Sequence, residues 1–400
     1  MLTDGKPRVA FVVQRCGVEV NGGAEQLCLQ VAQRMAAHWQ VEILSTCAHD
    51  YVTWANHYPE GEELVSGVKI RRFVVDGERD NEAFNDLSRD LAARQQQTTA
   101  FEQAEWMRAQ GPMSSSLLTF LEKNIDEYVV FIFFGYLYAQ SYFGLQRVAR
   151  KAILAPFAHD EWPMYFSMWN EHFCKPRAFV FSTFEEKAFL QKRFPHAALN
   201  GEIVGVGIER PHNIDVGAFR NQYGITERFL LYVGRVDPSK GCDTMFEHYL
   251  RWQSETNSDV RLVVVGGAVM PIPEHPSITH LGFVDDATKW NALAACQALI
   301  MPSPHESLSM VLLEAWSVMR PVIVNGACDV LVGQCRRANG GLWFDNYDEF
   351  SAAANTLVSG AMAVQLGKQG HAFVEREYAW EHIEQKYCRL ISANLEQKIE

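Results

Sequence analysis

Glu306 and Glu314 stand eight positions apart, in a stretch whose pattern predicts a turn followed by an amphipathic helix. Ser307 or Ser309 is suited to cap that helix, and the free amides of its first turn then form a site for an anion such as a phosphate. A carboxylate beside a helix N-terminus also complements the helix dipole by about 0.3–1 kcal/mol, which would explain Glu306 without a ligand. This does not explain Glu314, an acid amid apolar residues, which needs a partner or water.

Two short apolar strands are predicted to position this turn and helix. The first covers residues 298–301 and the second covers residues 322–325. The helix between them runs from about Leu308 to Met319 and ends before Pro321, because proline cannot continue the hydrogen-bond ladder. Strand, helix and strand in so short a segment predict a βαβ unit with two buried parallel strands.

A second group of charged residues follows the predicted strand 229–233. The segment GRVDPSKG places Arg235 and Lys240 five positions apart after a glycine turn. Two fixed cations suit a diphosphate, because hydrogen bonds to charged partners are worth about 1.5–3 kcal/mol each. The alternative is a pair of ordinary loop charges, each worth a fraction of a kcal/mol. The spacing of a P-loop is absent.

Near the N-terminus, Gly22-Gly23 separate a predicted strand, 8–14, from a predicted helix, 25–37. Open α/β sheets bind ligands at the carboxyl ends of their strands, although these glycines are equally consistent with a simple tight turn. His159 follows another predicted strand, 152–156, and so has the same placement. A histidine there can donate or accept a hydrogen bond near neutral pH, but a structural histidine is the alternative.

Composition narrows the class of protein. The chain has 400 residues, 48% of them hydrophobic and 21% charged, which is typical of a globular protein. Its net charge of −12 argues against nucleic-acid binding. Nine scattered cysteines without a C-x-x-C pair predict reduced thiols, and we expect neither a signal peptide nor a transmembrane segment. These features favour a cytoplasmic location.

The chain is too long for one ordinary core and predicts two α/β domains. We place the N-terminal domain at residues 1–206 and the C-terminal domain at residues 207–374. A terminal amphipathic helix, residues 375–400, is expected to pack back on the first domain. A partner-binding helix is the competing interpretation of that last segment.

With its flanks, the segment PSPHESLSMVLLEA resembles the donor-site signature of retaining glycosyltransferases of family 4. GRVDPSKG, VNGGAE and PFAHDEWP are similar to further segments of that family. The resemblance implies the GT-B fold, in which two Rossmann-like doubly wound domains face each other across a central cleft. It also implies that a hexose-type sugar is transferred from a nucleotide-diphosphate sugar with retention of anomeric configuration.

The resemblance also implies roles for individual residues. His159 would contact the donor sugar near the transferred carbon, and Glu306 would hold the hydroxyls of that sugar. Glu314 would bind the ribose, and the base would lie against Phe283 and Val284. The implied donor-binding residues are Gly22, Gly23, Arg235, Lys240, Phe283, Val284, Ser307, Leu308, Ser309, Met310 and Glu314.

Two segments depart from the family's pattern. Ser307-Leu308-Ser309 stands where many members carry Gly-Phe-Gly, and backbone amides are expected to serve there instead. Gly266-Gly267-Ala268-Val269 stands where the family has a turn of glycine and an acid, so one donor contact lacks its carboxylate.

The sequence contains no Asp-x-Asp pair to hold Mg²⁺. We therefore expect no metal and no cofactor, with Arg235, Lys240 and helix amides stabilising the leaving diphosphate. The expected partners are a nucleotide-sugar donor, UDP being favoured, and a glycan or lipid-linked acceptor of bacterial polysaccharide assembly. Such an enzyme would work in the cytoplasm, with peripheral association at the inner face of the membrane as one option. The alternatives are a sugar phosphorylase, a nucleotide-sugar epimerase and a non-catalytic nucleotide-sugar-binding subunit.

Overall fold

The computed structural model describes residues 6–20, 22–358 and 360–396. The chain divides into two compact units. The first unit comprises Met1–Gly205 together with Ile383–Glu400, and the second comprises Val206–His382. Both units are α/β, with an extended parallel sheet in each.

The first unit is built on an eight-stranded sheet in the order β3-β4-β2-β1-β5-β6-β7-β8. Its strands are β1 Arg8–Val12, β2 Gln40–Thr46, β3 Gly61–Val65, β4 Val68–Phe73, β5 Val130–Phe134, β6 Ala152–Ala155, β7 Ala178–Phe181 and β8 Gly201–Ile203. Every pairing is parallel except that of β3 with β4. The winding reverses between β1 and β5, and the carboxyl ends of strands beside such a point form a crevice for ligands.

The second unit is built on a six-stranded parallel sheet in the order β11-β10-β9-β12-β13-β14. Its strands are β9 Phe229–Val233, β10 Arg261–Val265, β11 Ile278–His280, β12 Ala298–Met301, β13 Val322–Asn325 and β14 Gly341–Phe344. Counted within the unit, this is the Rossmann order 3-2-1-4-5-6, whose switch point lies between β9 and β12. The segments GRVDPSKG and PSPHES therefore leave adjacent strands at the same edge of the sheet.

Fifteen α-helices occur in the described part of the chain. The first unit holds α1 Gly23–Met35, α2 Asn81–Ala93, α3 Ala100–Gln110, α4 Ser115–Lys123, α5 Ala139–Arg147, α6 Met168–His172 and α7 Phe184–Arg193. The others are α8 Val216–Tyr223, α9 Cys242–Thr256, α10 Asp286–Ala295, α11 Met310–Ser317, α12 Asp329–Ala338, α13 Tyr347–Val358, α14 Ala361–Glu377 and α15 Trp380–Glu396. Over the described residues, none of these helices has the length and apolar character required to cross a bilayer.

The terminal segment differs from the single helix expected over residues 375–400. Helix α14 ends at Glu377 and a separate helix begins at Trp380, while residues 397–400 lie outside the described residues. Within the first unit, α15 is anchored by Glu384, which lies 3.5 Å from Arg34 of α1. Arg389 similarly lies 3.2 Å from Glu202 of β8. The last helix thus completes the first unit from the far end of the sequence.

His172 lies in the aromatic core of the first unit. Its ring is 1% exposed and packs against Tyr142, Trp169 and Phe173, with centroid distances of 5.3, 5.4 and 5.9 Å. Neither ring nitrogen has a hydrogen-bond partner among the described residues. Burial, assisted by the charge of Lys175, lowers the pKa of His172 to about 3. The histidine is therefore held neutral in the folded protein.

We predict that acid destabilises the first unit through His172. Its pKa is about 3 when folded and about 6.5 when unfolded, so the unfolded state binds the additional proton between these pH values. This group therefore lowers the free energy of unfolding by up to about 1.4 kcal/mol for each pH unit below 6.5. In urea unfolding between pH 7 and pH 4, His172→Phe should lose less stability than the wild type.

The exposed histidine His196 supplies the control. His196→Phe retains His172 and should therefore retain the loss of stability that His172 causes as the pH falls from 7 to 4. If the free energy of unfolding fell by the same amount with pH in the wild type and in His172→Phe, His172 would not take up a proton on unfolding.

Candidate functional site

The loops that follow β9 and β12 bring together two residues that are 66 positions apart in the sequence. Lys240 Nζ donates a hydrogen bond to Glu306 Oε1 at 2.8 Å. The lysine side chain is 36% exposed and that of the glutamate is 16% exposed, so both charged groups lie at the edge of the sheet rather than in the core. The pair places a fixed cation directly beside a fixed carboxylate.

Close backbone packing explains how these two loops meet. Gly241 has φ +70, and a Cβ on it would lie only 2.3 Å from the carbonyl oxygen of Pro302. Asn325 Nδ2 also donates to that oxygen, at 2.7 Å. Beneath them, a Cβ on Gly266 would lie 2.0 Å from the carbonyl oxygen of Gly234. Glycine is therefore required at both positions, where backbone meets backbone.

Arg235 is held by the turn that carries Lys240. Its Nε lies 2.9 Å from Asp237 Oδ2, and the Asp237 carboxylate also accepts bonds from the Ser239 amide and hydroxyl, at 2.8 and 2.7 Å. Burial alone would raise the pKa of Asp237, but the bonds from Ser239 and the charge of Arg235 outweigh it and hold that pKa below its usual value. Asp237 therefore remains ionised and fixes the turn.

Arg235 and Glu306 also act on the same buried hydroxyl. Tyr232 donates a 2.7 Å hydrogen bond to the carbonyl oxygen of Arg235. Burial raises the pKa of Tyr232, Cys242 and the charge of Glu306 raise it further, and the charge of Arg235 opposes the shift. The guanidinium and the carboxylate are thus both electrostatic neighbours of one phenol.

Helix α11 begins at Met310, two residues later than the sequence indicates, and ends at Ser317. Ser309 occupies the N-cap position but makes no capping bond, so the expectation that it caps the helix is wrong. The reason is its backbone: with φ +69 it adopts a left-handed conformation that glycine usually supplies.

Leu308 and the first turn of α11 form the remainder of this loop. The carbonyl oxygen of Leu308 accepts a 2.6 Å hydrogen bond from the buried Gln334 Nε2 of α12. Ser307 is half-buried and Leu308 is buried. The amides of the first helical turn, from Met310 onward, have no intrahelical acceptors and so can bind an anion.

Glu314 has the partner that its apolar surroundings require. Lys289 Nζ of α10 donates to Glu314 Oε1 at 2.8 Å, and the Glu314 side chain is only 8% exposed. Burial raises the pKa of Glu314, and the charge of Lys289 offsets part of that rise. The second oxygen, Oε2, is buried and has no hydrogen-bond partner among the described residues. Lys289 was not identified from the sequence.

Phe283 and Val284 lie between β11 and α10. Phe283 is 70% exposed and Val284 is half-buried. The neighbouring departure from the family pattern, at residues 266–269, is an ordered turn, since Val236 donates to the Gly267 carbonyl oxygen at 2.9 Å. An exposed phenylalanine beside that turn can stack against a planar ligand.

The glycine loop of the first unit is organised by a buried ion pair. Arg15 Nε lies 2.7 Å from Glu25 Oε1, and the two side chains are 10% and 7% exposed. Glu25 folds back over Gly22, the N-cap of α1, where a Cβ would lie 2.1 Å from its carboxylate. Gly23 is the first residue of α1, and no atom lies within 4 Å of its Cβ position. Asn21, part of the same sequence segment, lies outside the described residues.

His159 follows β6 in the first unit and contacts a carboxylate. Its Nε2 lies 3.5 Å from Glu161 Oε2, with the two side chains 31% and 22% exposed. Glu161 Oε1 accepts a 2.8 Å hydrogen bond from Tyr136. The imidazole therefore lies beside an acid that is itself held by a buried phenol.

A second carboxylate fixes the backbone next to His159. Glu186 is 1% exposed and accepts bonds from the Ala158 amide at 2.7 Å and the Ser182 amide at 2.5 Å. Burial raises its pKa to about 7, although the amide bonds oppose the rise. The spacing from Thr183 to Glu186 signals a helix start, but it does not reveal the bond to Ala158.

The fold class is that of the GT-B glycosyltransferases, and the comparisons with known proteins agree with this assignment. Residues 227–359 match the family model described as glycosyl transferases group 1. This span holds Arg235, Lys240, Glu306 and Glu314, whereas His159 and the glycine loop lie outside it. No curated protein sequence matches the chain.

Solved structures resemble the chain over nearly its whole length. Sucrose-phosphate synthase from Thermosynechococcus elongatus is 17% identical with a TM-score of 0.69, covering 97% of this chain and 100% of its own. Anabaena HepE in complex with UDP-glucose is 14% identical with a TM-score of 0.68 and the same coverage. E. coli trehalose-6-phosphate synthase bound with UDP-2-fluoro glucose is 12% identical with a TM-score of 0.69, covering 98% and 99%. At identities this low, the structural similarity establishes a shared fold and nothing more.

We predict that Gly241→Ala separates Lys240 from Glu306. The new methyl group would meet the Pro302 carbonyl oxygen, and φ +70 is strained for alanine, so the backbone must move. The free energy of unfolding should fall by about 1–3 kcal/mol in urea denaturation. Gly267→Ala is the matched control, since its Cβ position has no atom within 4 Å. Equal stability of the two variants would show that the close approach to Pro302 is not required.

Proposed function

We propose that this protein is a retaining glycosyltransferase that transfers a hexose-type sugar from a nucleotide-diphosphate sugar to a glycan or lipid-linked acceptor. The observation that carries the proposal is the contact between Lys240 and Glu306 at the switch point of the second sheet, within the segment that matches glycosyl transferases group 1. It joins a cation suited to a phosphate with a carboxylate suited to sugar hydroxyls.

The donor diphosphate is neutralised by protein groups. Lys240, Arg235 and the first-turn amides of α11 supply positive charge and hydrogen-bond donors at the edge where β9 and β12 end. Such fixed dipoles and charges stabilise the negative charge that develops on the leaving diphosphate. The partial exposure of both cations leaves them accessible to the ligand.

Glu306 and Glu314 bind two further parts of the donor, the transferred sugar and the ribose. Glu306 binds the hydroxyls of the transferred sugar, next to the cation that binds its phosphate. Glu314 binds the ribose through the oxygen that has no described protein donor. The base lies against Phe283 and Val284. Glu306 is not required as a covalent nucleophile, because in front-face attack the leaving phosphate accepts the proton of the acceptor hydroxyl.

In the first unit, His159 and the glycine loop act on the reacting groups. His159, oriented by Glu161, contacts the donor sugar near the transferred carbon and assists the acceptor hydroxyl. Gly23, whose Cβ position is open, allows a close approach of ligand atoms to the backbone at the start of α1, and Gly22 leaves room for the Glu25 carboxylate beside it.

Uridine is the favoured base. Two proteins of the same fold were solved with UDP-glucose and with UDP-2-fluoro glucose. The similarity of VNGGAE and PFAHDEWP to family 4 supports an acceptor of bacterial polysaccharide assembly, used in the cytoplasm or at the inner face of the membrane.

The proposed chemistry does not use a divalent metal. In this proposal two cationic side chains and a helix N-terminus balance the charge of the diphosphate that a metal would otherwise balance. Donor turnover should therefore persist after EDTA treatment. A strict requirement for added Mg²⁺ or Mn²⁺ would contradict this part of the proposal.

We predict that a nucleoside diphosphate stabilises the wild type in a thermal-shift screen of UDP, GDP and ADP. A ligand at 100 times its dissociation constant stabilises the folded state by about 2.7 kcal/mol. Lys240→Ala should reduce the shift, because the β-phosphate loses its cation, whereas the exposed-site control Lys368→Ala should retain it. A rise in melting temperature with GDP alone would overturn the uridine assignment. No rise with any of the three nucleotides would overturn the proposal that the donor is a nucleotide-diphosphate sugar.

Glu306→Ala is expected to reduce release of UDP from a UDP-sugar by about 10²–10³-fold, because contacts made at the reacting sugar are lost. It should leave UDP binding nearly unchanged, since the nucleotide does not contact this residue in the proposed arrangement. Glu375→Ala, on the exposed face of α14, is the control. Full activity of Glu306→Ala would exclude the assigned role. Turnover that requires free phosphate would identify a phosphorylase instead.

A further inference from the structure

We infer that Lys289 is a positioning residue for nucleotide binding: it holds one oxygen of Glu314 so that the other faces a ribose hydroxyl. This inference rests on the proposed function, because it assumes that a nucleotide occupies the second unit. Lys289 itself is assigned no contact with the ligand.

The lysine lies between two carboxylates on two helices. Its Nζ is 2.8 Å from Glu314 Oε1 on α11 and 2.9 Å from Asp286 Oδ1 on α10. The lysine and Glu314 side chains are 21% and 8% exposed, whereas Asp286 is 72% exposed. The lysine ammonium group therefore contacts an exposed carboxylate on one side and the buried Glu314 carboxylate on the other. This second contact fixes the rotation of the Glu314 side chain.

The starting turn of α10 is itself fixed in place. Asp285 is the N-cap of this helix and accepts a 2.7 Å hydrogen bond from the Thr288 amide. The preceding residues are Phe283 and Val284, which the proposed function places against the base. One short segment thus carries the base contact, the helix cap and the lysine that holds Glu314.

The buried oxygen of Glu314 is the observation that points to a ligand. A carboxylate serving only to join α10 to α11 would be expected to use both oxygens, because a buried acceptor without a donor is costly. Here only Oε1 is bonded within the described residues, and Oε2 is left without a donor. A ribose hydroxyl is a donor of the right kind, and the Lys289 bond determines which oxygen receives it.

The test compares UDP with 2′-deoxy-UDP and 3′-deoxy-UDP by isothermal titration calorimetry. A hydrogen bond to a charged acceptor corresponds to about tenfold or more in affinity, so the wild type should prefer UDP to one deoxy analogue by at least that factor. Lys289→Met should weaken UDP binding about tenfold and reduce the preference to within about threefold. Lys289→Arg should restore most of the preference, and Lys368→Met should behave as the wild type.

A double variant covers the case in which Lys289→Met fails to fold with an unpaired buried carboxylate. The variant Lys289→Met/Glu314→Gln removes both charges and should show the same weak preference for UDP as Glu314→Gln alone, because the lysine acts only through the glutamate. A further loss in the double variant would indicate a direct contact of Lys289 with the nucleotide and would overturn the positioning role.

The outcomes separate this inference from the proposed function. If the wild type binds none of UDP, GDP and ADP, the proposed function fails. If the wild type binds UDP and Lys289→Met retains the full preference over the deoxy analogues, only the role of Lys289 fails.

Discussion

The contact between Lys240 and Glu306 is the interaction on which the site of the second unit depends. An ion pair between groups this accessible contributes little to stability, on the order of a fraction of a kcal/mol. Its importance is positional, since it holds a cation and a carboxylate side by side at the edge of the sheet where β9 and β12 end. The contact exists because the Rossmann winding makes β9 and β12 neighbours and because Gly241 allows its loop to touch Pro302.

Many strands of the sheets could be predicted from the sequence, because a parallel strand buried on both faces is a continuous apolar run. The bounds of β9, β12 and β13 agree with the expected ones. The sequence of residues 280–283 predicts a short strand there, but β11 covers Ile278–His280, because Gly282 has φ +68 and Phe283 is exposed. Strand β3 was missed because four of its five residues are exposed, so no apolar pattern marks this edge strand.

Residues of the candidate site could be predicted where a single loop contains a recognisable sequence motif. The segment GRVDPSKG and the pair Glu306 and Glu314 were recognisable as stretches of sequence. Partners supplied by other elements were not. The bond from Lys289 to Glu314 depends on α10 packing beside α11, and the bond from the Ala158 amide to Glu186 depends on how the loops after β6 and β7 meet. The residue types predict that Ser307 or Ser309 caps α11, but the N-cap residue is Ser309 and it makes no capping bond, because its backbone is left-handed.

The position of α15 has a consequence for synthesis on the ribosome. The second unit, Val206–His382, is inserted between the two segments that form the first. At about 5–20 residues per second, translation of this insertion takes on the order of ten seconds or more. Throughout that interval the nascent first unit lacks the helix that carries the buried residues Ile383, Tyr387 and Ile391. The second unit can therefore reach its native state first, while the surface on which α15 docks remains uncovered until that helix has been synthesised.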